Sequence, residues 1–526
     1  MLDERILSAP GLLALSSVAL VGIVALGLVI RIARGAGQAT EEDVVRRIVR
    51  NSSLPIASQL IVRVIDLAIA IAILRLLGPS GNGEYAFAVI VWLYVKTISD
   101  FGLGLYATRE ISREPDRAGA ITGGTTLFRW LVLAACLAPV AAYLSIRLAL
   151  GDLSNGALAA VAILLLSIVP ASLSEALNSA LNGVERMDIA AGLNVGVNLV
   201  RAPLAVALAA TSLGVAGVAL AALIGALVSA AAFALAYRRV GLPAIRLRLT
   251  SSQAREYARE SWPLLVNALL ISLFFRFDIF IIEAVRGVRE VGIYDAAFKP
   301  INMLTIIPAY ATLAVFPLMS RRAGDVEGLA RANRVTSYLL VSLAWGAVAL
   351  TVALAEPAIR VLAGGEYLPE AATLLRVLIF FAPLAFLNGV FQYVLVAQGR
   401  QRQVIPAFVC AAAFNIAGNL ALVPLFGARA SASLTVVTEI VIFSAFVWVS
   451  RKSAVRIHDR AGLARLARPT AAGLAATLAA LLLLDRPLLA ALAAGGVFAV
   501  LAFALRVVGD EEIALGRRLM TRSARA

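Results

Sequence analysis

Long apolar runs dominate this 526-residue sequence and limit the folds that it can adopt. Hydrophobic residues make up 61% of the chain, charged residues make up 15%, and the mean hydropathy is +0.90. Soluble proteins average about 45–50% apolar and about 25% charged residues. The sequence also lacks the short alternating segments that build outer-membrane barrels. The composition therefore excludes soluble and disordered chains and predicts a polytopic α-helical membrane protein.

About fifteen apolar runs are long enough to be predicted as membrane spans. The first covers 11–30 and precedes a charged, amphipathic segment that begins at residue 41. Two groups of six spans follow, and a basic linker separates the groups. The first group lies near 54–77, 84–105, 122–149, 157–182, 190–210 and 215–237. The second group lies near 260–285, 293–319, 335–356, 371–397, 404–426 and 428–450, and a final pair covers 469–484 and 487–508.

Basic residues are concentrated in alternate loops, and this asymmetry predicts the orientation of the chain. Lys and Arg number 47 against 32 Asp and Glu, which gives a net charge of +15. If 31–53 is cytoplasmic, the basic segments at 238–259 and 451–468 and the tail are cytoplasmic as well. Retention of basic loops in the cytoplasm produces this pattern. We therefore expect an external N-terminus, a cytoplasmic C-terminus and no nucleic-acid partner.

The first apolar run is predicted to be an extra anchor helix. Its leading residues, 1–5, have no excess of positive charge, whereas Arg31 and Arg34 follow the run as in a stop-transfer segment. A signal peptide is one alternative. A natural chain that begins near residue 41 is another.

The two six-span blocks are similar in length and share local motifs, which indicates an internal repeat. Gly83-Glu84-Tyr85-Ala86 in the first block corresponds to Gly292-Ile293-Tyr294-Asp295 in the second. An even number of spans per repeat keeps both halves in the same orientation, so their symmetry axis should run along the membrane normal. Transporters built from parallel repeats hold their substrate between the halves near mid-membrane.

The predicted fold is therefore all-α, with two six-helix bundles, a C-terminal helix pair and one extra N-terminal helix. The predicted regions are the extra helix at 1–40, the N-lobe at 41–237, the linker at 238–259, the C-lobe at 260–450, a loop with the helix pair at 451–508, and the basic tail at 509–526.

The first two spans of each block carry ionisable side chains that hydrocarbon would not tolerate. These residues are Arg63, Asp66, Lys96 and Asp100 in the first block, and Arg276, Asp278, Asp295 and Lys299 in the second. A charge at a lipid-facing midplane position costs about 2.5–3.5 kcal/mol or more, so these groups should face protein or a wet cavity. The alternative is that neighbours three or four residues apart neutralise each other on one helix face. Such pairs are Arg63–Asp66, Lys96–Asp100 and Asp295–Lys299.

No motif in the sequence predicts a metal, a cofactor or an enzymatic site. Cys136 and Cys410 both lie in apolar runs, and His458 is the only histidine, so no metal site or disulfide is expected. The segment 78–83 is rich in glycine but lacks the strand and helix context of a nucleotide loop, and we interpret it as a tight exposed turn.

Several motifs resemble those of Wzx-type oligosaccharide-lipid flippases, in the superfamily that also holds multidrug exporters and the lipid II flippase. The first is LGPSGNGEYA at 77–86, followed by SDFGL at 99–103. The second half agrees in VGIYDAA at 291–297 and NIAGN at 415–419. The similarity covers about 41–508, and the helix at 11–30 departs from the usual fourteen-span pattern of the family.

The resemblance implies translocation of an undecaprenyl-pyrophosphate-linked glycan across the cytoplasmic membrane of a prokaryote. Alternating access would be driven by an ion gradient or by the membrane potential, and a glycan polymerase is an expected partner. The candidate pyrophosphate ligands are Arg63, Lys96, Arg276 and Lys299. The candidate charge-balancing or coupling residues are Asp66, Asp100, Asp278 and Asp295.

Other functions remain open from the residues. A cation-coupled drug exporter uses the same scaffold, and so does a lipid II flippase. A polytopic glycosyltransferase or polymerase is less consistent with the sequence, because the longest external loop, near 356–370, is too short to display a catalytic centre.

Overall fold

A computed structural model of the protein describes residues 44–151, 153–308, 326–398, 400, 404–450, 460–505 and 507. Every regular element in these residues is helical, as the sequence predicts. The predicted anchor helix at 11–30 and the basic tail lie outside the described residues. His458 lies outside them as well.

The chain divides into two compact units that are not continuous in sequence. The described residues up to Ser272, together with Gly287–Gly292, form unit 1. Leu273–Arg286 and the described residues from Ile293 onward form unit 2. The chain therefore passes from one unit to the other inside a helix, and not within the linker at 238–259.

Unit 1 contains six helices and the first part of a seventh. They are α1 (Val44–Asp100), α2 (Leu103–Arg113), α3 (Ala118–Ala149), α4 (Asn155–Gly183), α5 (Met187–Ala209), α6 (Gly214–Val240) and α7 (Ser251–Arg276), of which the last continues into unit 2. Helix α6 packs on α4 and α5, and α1 packs on α5. One core cluster joins α2 through α6, with Phe233 and Tyr237 of α6 at most 2% exposed.

Unit 2 contains the remaining helices. They are α8 (Asp278–Arg286), α9 (Val288–Leu304), α10 (Val326–Leu362), α11 (Glu370–Leu378), α12 (Ala382–Ala397), α13 (Val404–Phe426), α14 (Ala428–Ser450), α15 (Arg460–Leu481) and α16 (Pro487–Ala504), and the first residues of α9 belong to unit 1. Helix α13 packs on α14, and α10 packs on α12 and α15. Gly473 permits close packing of α15 on α10, because a Cβ there would lie 2.5 Å from Cβ of Trp345.

Within the described residues, nine helical segments are long and apolar enough to cross a membrane. These segments are 115–149, 155–183, 187–209, 214–240, 327–362, 370–395, 404–426, 428–449 and 487–504. Each agrees within a few residues with one predicted span, except that 115–149 and 327–362 begin about two turns earlier. The chain is therefore a multi-pass membrane protein. Both cysteines are free.

The segment 78–83 is only in part the exposed turn that the sequence suggested. It lies inside α1, where Gly78 interrupts the helix with φ 66° and ψ −177°. Asn82 is only 1% exposed and donates a hydrogen bond to the carbonyl oxygen of Gly292. The break at Gly78 agrees with the predicted turn between two helices, but residues 287–292 of unit 1 cover Asn82 and Gly83, so the segment is exposed only in part.

Candidate functional site

Lys96 of α1 binds a carboxylate on a different helix from the one that its spacing suggested. Its Nζ lies 2.6 Å from Oε1 of Glu175 on α4, and 5.1 Å from the centroid of the Trp92 ring. Asp100, four residues away, has another partner. The Lys96 and Glu175 side chains are 30% and 35% exposed. A cation of unit 1 therefore lies at a partly open position, between a carboxylate and an aromatic face.

Asp66 also binds across helices. Its Oδ1 accepts a hydrogen bond of 2.8 Å from Nη2 of Arg201 on α5, and the same nitrogen donates to Oδ1 of Asn198. Arg63, three residues before Asp66, is exposed and makes no ion pair within the described part of the chain. The alternative of local Arg63–Asp66 and Lys96–Asp100 pairs is therefore wrong.

The partner of Asp100 is Arg129 of α3, which is the most deeply buried cation among the residues of unit 1 whose burial the structure describes. Nε and Nη2 of Arg129 lie 2.9 and 2.7 Å from Oδ1 of Asp100, and the arginine side chain is 1% exposed. Phe101 and Gly102, with φ of 54° and 75°, end α1 directly after Asp100 and allow the chain to turn into α2. This turn leaves the carboxylate at the end of α1, facing the guanidinium.

In unit 2, one buried carboxylate serves two cations. Oδ2 of Asp295 lies 2.7 Å from Nζ of Lys299, and Oδ1 lies 3.4 Å from Nη1 of Arg276. The guanidinium also lies 5.5 Å from the centroid of the Phe298 ring. Asp295 is 6% exposed, whereas the two cationic side chains are 25% and 27% exposed. The local Asp295–Lys299 pair is confirmed, and the triad carries one positive charge in excess.

Asp278 binds hydroxyl groups instead of a cation. The hydroxyls of Tyr294 and Ser431 both donate to Oδ2, the latter at 2.9 Å, and the backbone N–H of Ile279 donates to Oδ1. Arg276, two residues earlier, pairs with Asp295. The two neighbours therefore have different partners, as their spacing predicts.

The candidate residues thus form separate clusters within the two units. Glu175, Arg129 and Arg201 lie inside predicted spans, but nothing in their sequence positions shows that they pair with the candidates. The hydroxyl partners Tyr294 and Ser431 gave no signal in the sequence, because uncharged polar residues are common in membrane helices.

Helix α14 carries a further buried acid, Glu439, which accepts a hydrogen bond from Asn388 of α12. Asn415 of α13 donates a hydrogen bond of 3.1 Å to the hydroxyl of Thr438 on α14.

Comparison with models of protein families shows which family the chain belongs to. The model of a family described as polysaccharide biosynthesis protein matches residues 48–323, more than half of the sequence. The chain belongs to this polysaccharide biosynthesis protein family. A second family model, MatE, matches residues 263–421 of this family member. No curated protein matches the sequence.

Solved structures show the fold of this polysaccharide biosynthesis protein. The lipid II flippase MurJ, in an inward closed conformation, superposes with a TM-score of 0.63 at 12% identity, over 86% of this chain and 99% of MurJ. An inward-facing MATE family transporter of the MOP superfamily gives 0.59 at 16% identity, over 81% and 99% of the two chains. The MATE multidrug transporter DinF-BH gives 0.54 at 16% identity, over 80% and 99%. The chain therefore has the fold of MOP-superfamily transporters.

Proposed function

We propose that this family member is a flippase for undecaprenyl-pyrophosphate-linked oligosaccharide in the cytoplasmic membrane of a prokaryote. Membership of a polysaccharide biosynthesis family and a transporter fold support this proposal. The observation that carries it is the triad of unit 2, in which Arg276 and Lys299 share the single carboxylate of Asp295. A partly exposed cluster with excess positive charge inside a membrane protein suits an anionic headgroup.

The chemistry of the triad fits a pyrophosphate. Phosphate oxygens accept two parallel hydrogen bonds from a guanidinium, while an ammonium binds them as a compact point charge. In the empty state, Asp295 holds Arg276 and Lys299 in place. When the headgroup binds, the two cations turn toward its oxygens and the carboxylate remains between them as the balancing charge.

Unit 1 supplies weaker candidate ligands for the pyrophosphate. Arg63 is exposed and has no ion-pair partner among the described residues, so it is available to an anion without breaking a contact. Lys96 must release Glu175 to bind a phosphate. Asp66 and Asp100 balance Arg201 and Arg129 in this scheme.

The negative charge of the headgroup determines how the membrane potential drives its translocation. An inside-negative potential favours outward movement of an anionic headgroup by about 2.3 kcal/mol per charge per 100 mV. An ion gradient is the other source of energy for alternating access. In this proposal the C-terminus is cytoplasmic and a glycan polymerase receives the product at the outer face.

The test measures flipping in proteoliposomes that contain the full chain and fluorescent undecaprenyl-pyrophosphate oligosaccharide. The variants are Arg63→Ala, Lys96→Ala, Arg276→Ala and Lys299→Ala, made singly. We expect Arg276→Ala and Lys299→Ala to slow flipping by about tenfold or more, the loss that corresponds to about 1.4 kcal/mol. Arg360→Ala is the matched control, because Arg360 is exposed and its one ion pair within the described residues is with Glu356 one turn away. Wild-type rates for all four variants would overturn the site assignment.

A drug exporter is the second candidate, and the MatE match over residues 263–421 favours it. Parallel assays with lipid II and with a cationic dye separate the alternatives. Flipping of the pyrophosphate-linked oligosaccharide without dye transport supports the proposal. Dye transport alone, or lipid II flipping alone, would replace it.

A further inference from the structure

Residues 241–250 connect α6 to α7 as a non-helical segment that packs on unit 1. The backbone N–H of Arg246 donates to the carbonyl oxygen of Gly119 on α3 at 3.1 Å. A Cβ on Gly119 would lie 2.2 Å from the carbonyl oxygen of Ala244, and one on Gly123 would lie 2.0 Å from that of Arg246. Residues 241–250, which we call the connecting segment, therefore run directly over glycines of α3 and belong to the folded unit.

Apolar side chains anchor the connecting segment and leave its basic side chains exposed. Leu242 and Ile245 pack against the core cluster that joins α2 through α6. Leu249 packs against a second cluster, which joins α2, α3 and α7. Residues 246–248, two arginines on either side of a leucine, are all exposed. The packing thus holds this Arg-Leu-Arg sequence at the surface of unit 1 in a fixed position.

The exposed arginines continue from the connecting segment onto the two helices that it joins. Leu247 and Trp262 are large apolar residues of the same region, and their exposed fractions are 53% and 55%. Five exposed arginines, which we call the basic surface, make no ion pair within the described residues; they are Arg238 and Arg239 of α6, Arg246 and Arg248 of the connecting segment, and Arg255 of α7.

Nearby carboxylates do not neutralise the basic surface, because most of them bind other groups. In 110–117 and 238–262, Asp116 is the one carboxylate without an ion pair or hydrogen bond to a side chain within the described residues. The contacts of the others are Glu110 with Arg109 and Arg113, Glu114 with Arg117, Glu256 with Tyr106, and Glu260 with Arg109 and Arg259. The five arginines therefore carry an excess of positive charge that an external anion can balance.

The basic surface lies at the level where the membrane spans end. The apolar segment 214–240 ends at the start of the connecting segment, and the segment 115–149 begins with the turns of α3 that the connecting segment covers. Arginine and tryptophan are typical of this level, since their apolar parts lie along hydrocarbon while their polar ends reach the headgroups. In the predicted topology this end is cytoplasmic, and the cytoplasmic leaflet carries anionic lipids.

We propose that the basic surface binds the phosphate headgroups of anionic phospholipids of the bilayer. A guanidinium donates two parallel hydrogen bonds to phosphate oxygens, so arginine suits this ligand. Leu247 and Trp262 lie at the border of the hydrocarbon and hold the connecting segment against the bilayer. The proposal does not rest on the flippase function, because the candidate pyrophosphate ligands are other residues.

The test titrates the full chain in a neutral detergent with fluorescent phosphatidylglycerol or fluorescent phosphatidylcholine. We expect phosphatidylglycerol to bind at least about tenfold more tightly, because each arginine near an anionic surface contributes about fivefold. Salt should weaken this binding, since exposed charges are screened. A photoactivatable phosphatidylglycerol should label 238–262. Equal affinity for the two lipids would overturn the proposal.

Two double variants test whether the connecting segment itself is the site. Arg246→Gln with Arg248→Gln should weaken binding of phosphatidylglycerol by about 25-fold and leave phosphatidylcholine binding unchanged. Arg113→Gln with Arg117→Gln is the matched control, because it removes the same charge from two exposed arginines that already pair with carboxylates. Equal losses in the two double variants would show diffuse attraction instead of a site and would overturn the proposal.

A competition experiment distinguishes the phospholipid from the other anions that could occupy the basic surface. Unlabelled undecaprenyl pyrophosphate and a single-stranded oligonucleotide are each added to the complex with fluorescent phosphatidylglycerol. We expect excess phosphatidylglycerol to displace either competitor from the connecting segment. If either one binds there and phosphatidylglycerol does not displace it, the surface serves that ligand and the proposal is wrong.

Discussion

Gly83 and Gly292 meet backbone to backbone within unit 1. A Cβ on Gly83 would lie 1.7 Å from the carbonyl oxygen of Val288, and a Cβ on Gly292 would lie 1.8 Å from that of Pro79. The amide of Asn82 closes the contact with a 3.0 Å hydrogen bond to the Gly292 carbonyl oxygen. The two glycines occupy equivalent places in the predicted repeat, and the contact joins these two positions within unit 1.

This contact bears on the topology of the chain. The segments 78–83 and 287–292 are about 200 residues apart, and direct packing requires both to lie at the same side of the membrane. The predicted topology places both segments at the external side. An even number of crossings between them satisfies this requirement.

Alanine at either glycine should destabilise the protein. Gly83→Ala or Gly292→Ala forces a methyl group into a backbone carbonyl that cannot rotate away, and overpacking of this kind costs about 1–3 kcal/mol or more. We expect a lower thermal unfolding midpoint in detergent for each variant. Gly389→Ala in α12 is the matched control, because a Cβ there meets no atom within 4 Å. Equal midpoints for the three variants and the wild type would refute the importance of the contact.

Alkaline pH should weaken the contact between α2 and the start of α7. The hydroxyl of Tyr106 donates to Oε1 of Glu256 at 2.8 Å, and burial together with this carboxylate raises the pKa of Tyr106. Burial also raises the pKa of Tyr257 to about 12. Unfolded tyrosine titrates near pH 10, so the stabilisation is complete below about pH 10 and is lost as pH rises through the folded pKa.

The variant Tyr106→Phe separates the contribution of Tyr106 to the alkaline loss of stability from that of Tyr257. The variant should lose about 1.5–3 kcal/mol at neutral pH, the net value of a hydrogen bond to a charged group, and its unfolding midpoint should fall less steeply at alkaline pH. Tyr257→Phe should show the smaller alkaline loss alone, because the Tyr257 hydroxyl makes no hydrogen bond within the described residues. Chemical unfolding measured between neutral pH and pH of about 12 checks both expectations. A Tyr106→Phe midpoint equal to that of wild type at every pH would contradict them.

Most of the helical architecture could be predicted from the sequence, because a span of about 20 apolar residues is a local signal. The span predicted at 404–426 coincides with α13. The segment 78–83 shows where local reasoning was incomplete. Its glycines suggest a turn, but the decisive contact comes from residues about 200 positions later.

The candidate site could be predicted only in part, for the same reason. Asp295 and Lys299 lie one turn apart on one helix, so spacing alone identifies the pair. Lys96 and Asp100 have the same spacing, yet Glu175 and Arg129 from other helices bind them. Spacing within one helix cannot show which neighbouring helix presents a better partner.

The Asp100–Arg129 pair should be costly to break from one side. Asp100→Asn leaves a guanidinium that is 1% exposed without a counter-charge, and removal of one partner from a buried pair costs about 3–5 kcal/mol. We expect a clear fall in the unfolding midpoint. The double variant Asp100→Asn, Arg129→Met should recover much of the loss, because it removes the uncompensated charge and keeps the apolar volume.

An exposed pair provides the control for that measurement. Glu114 and Arg117 lie 2.9 Å apart with side chains more than half exposed, and such pairs contribute about 0–1 kcal/mol. Glu114→Gln should therefore leave the midpoint nearly unchanged. A double variant no more stable than Asp100→Asn would mean that the loss comes from packing and not from the isolated charge.

The effects on stability of removing the two hydroxyls that bind Asp278 should not be additive. Tyr294 and Ser431 donate to the same carboxylate oxygen, and their own oxygens lie 3.1 Å apart. Removal of a hydrogen bond to a charged group costs about 1.5–3 kcal/mol, so Tyr294→Phe and Ser431→Ala should each lower the unfolding midpoint. The double variant should differ from the sum of the single losses by about 0.5–3 kcal/mol, because each hydroxyl changes how the other binds Asp278. A double-mutant cycle followed by chemical unfolding measures this coupling, with Tyr257→Phe as the control for loss of a buried tyrosine hydroxyl. Strict additivity would show that the two hydroxyls act on the carboxylate independently.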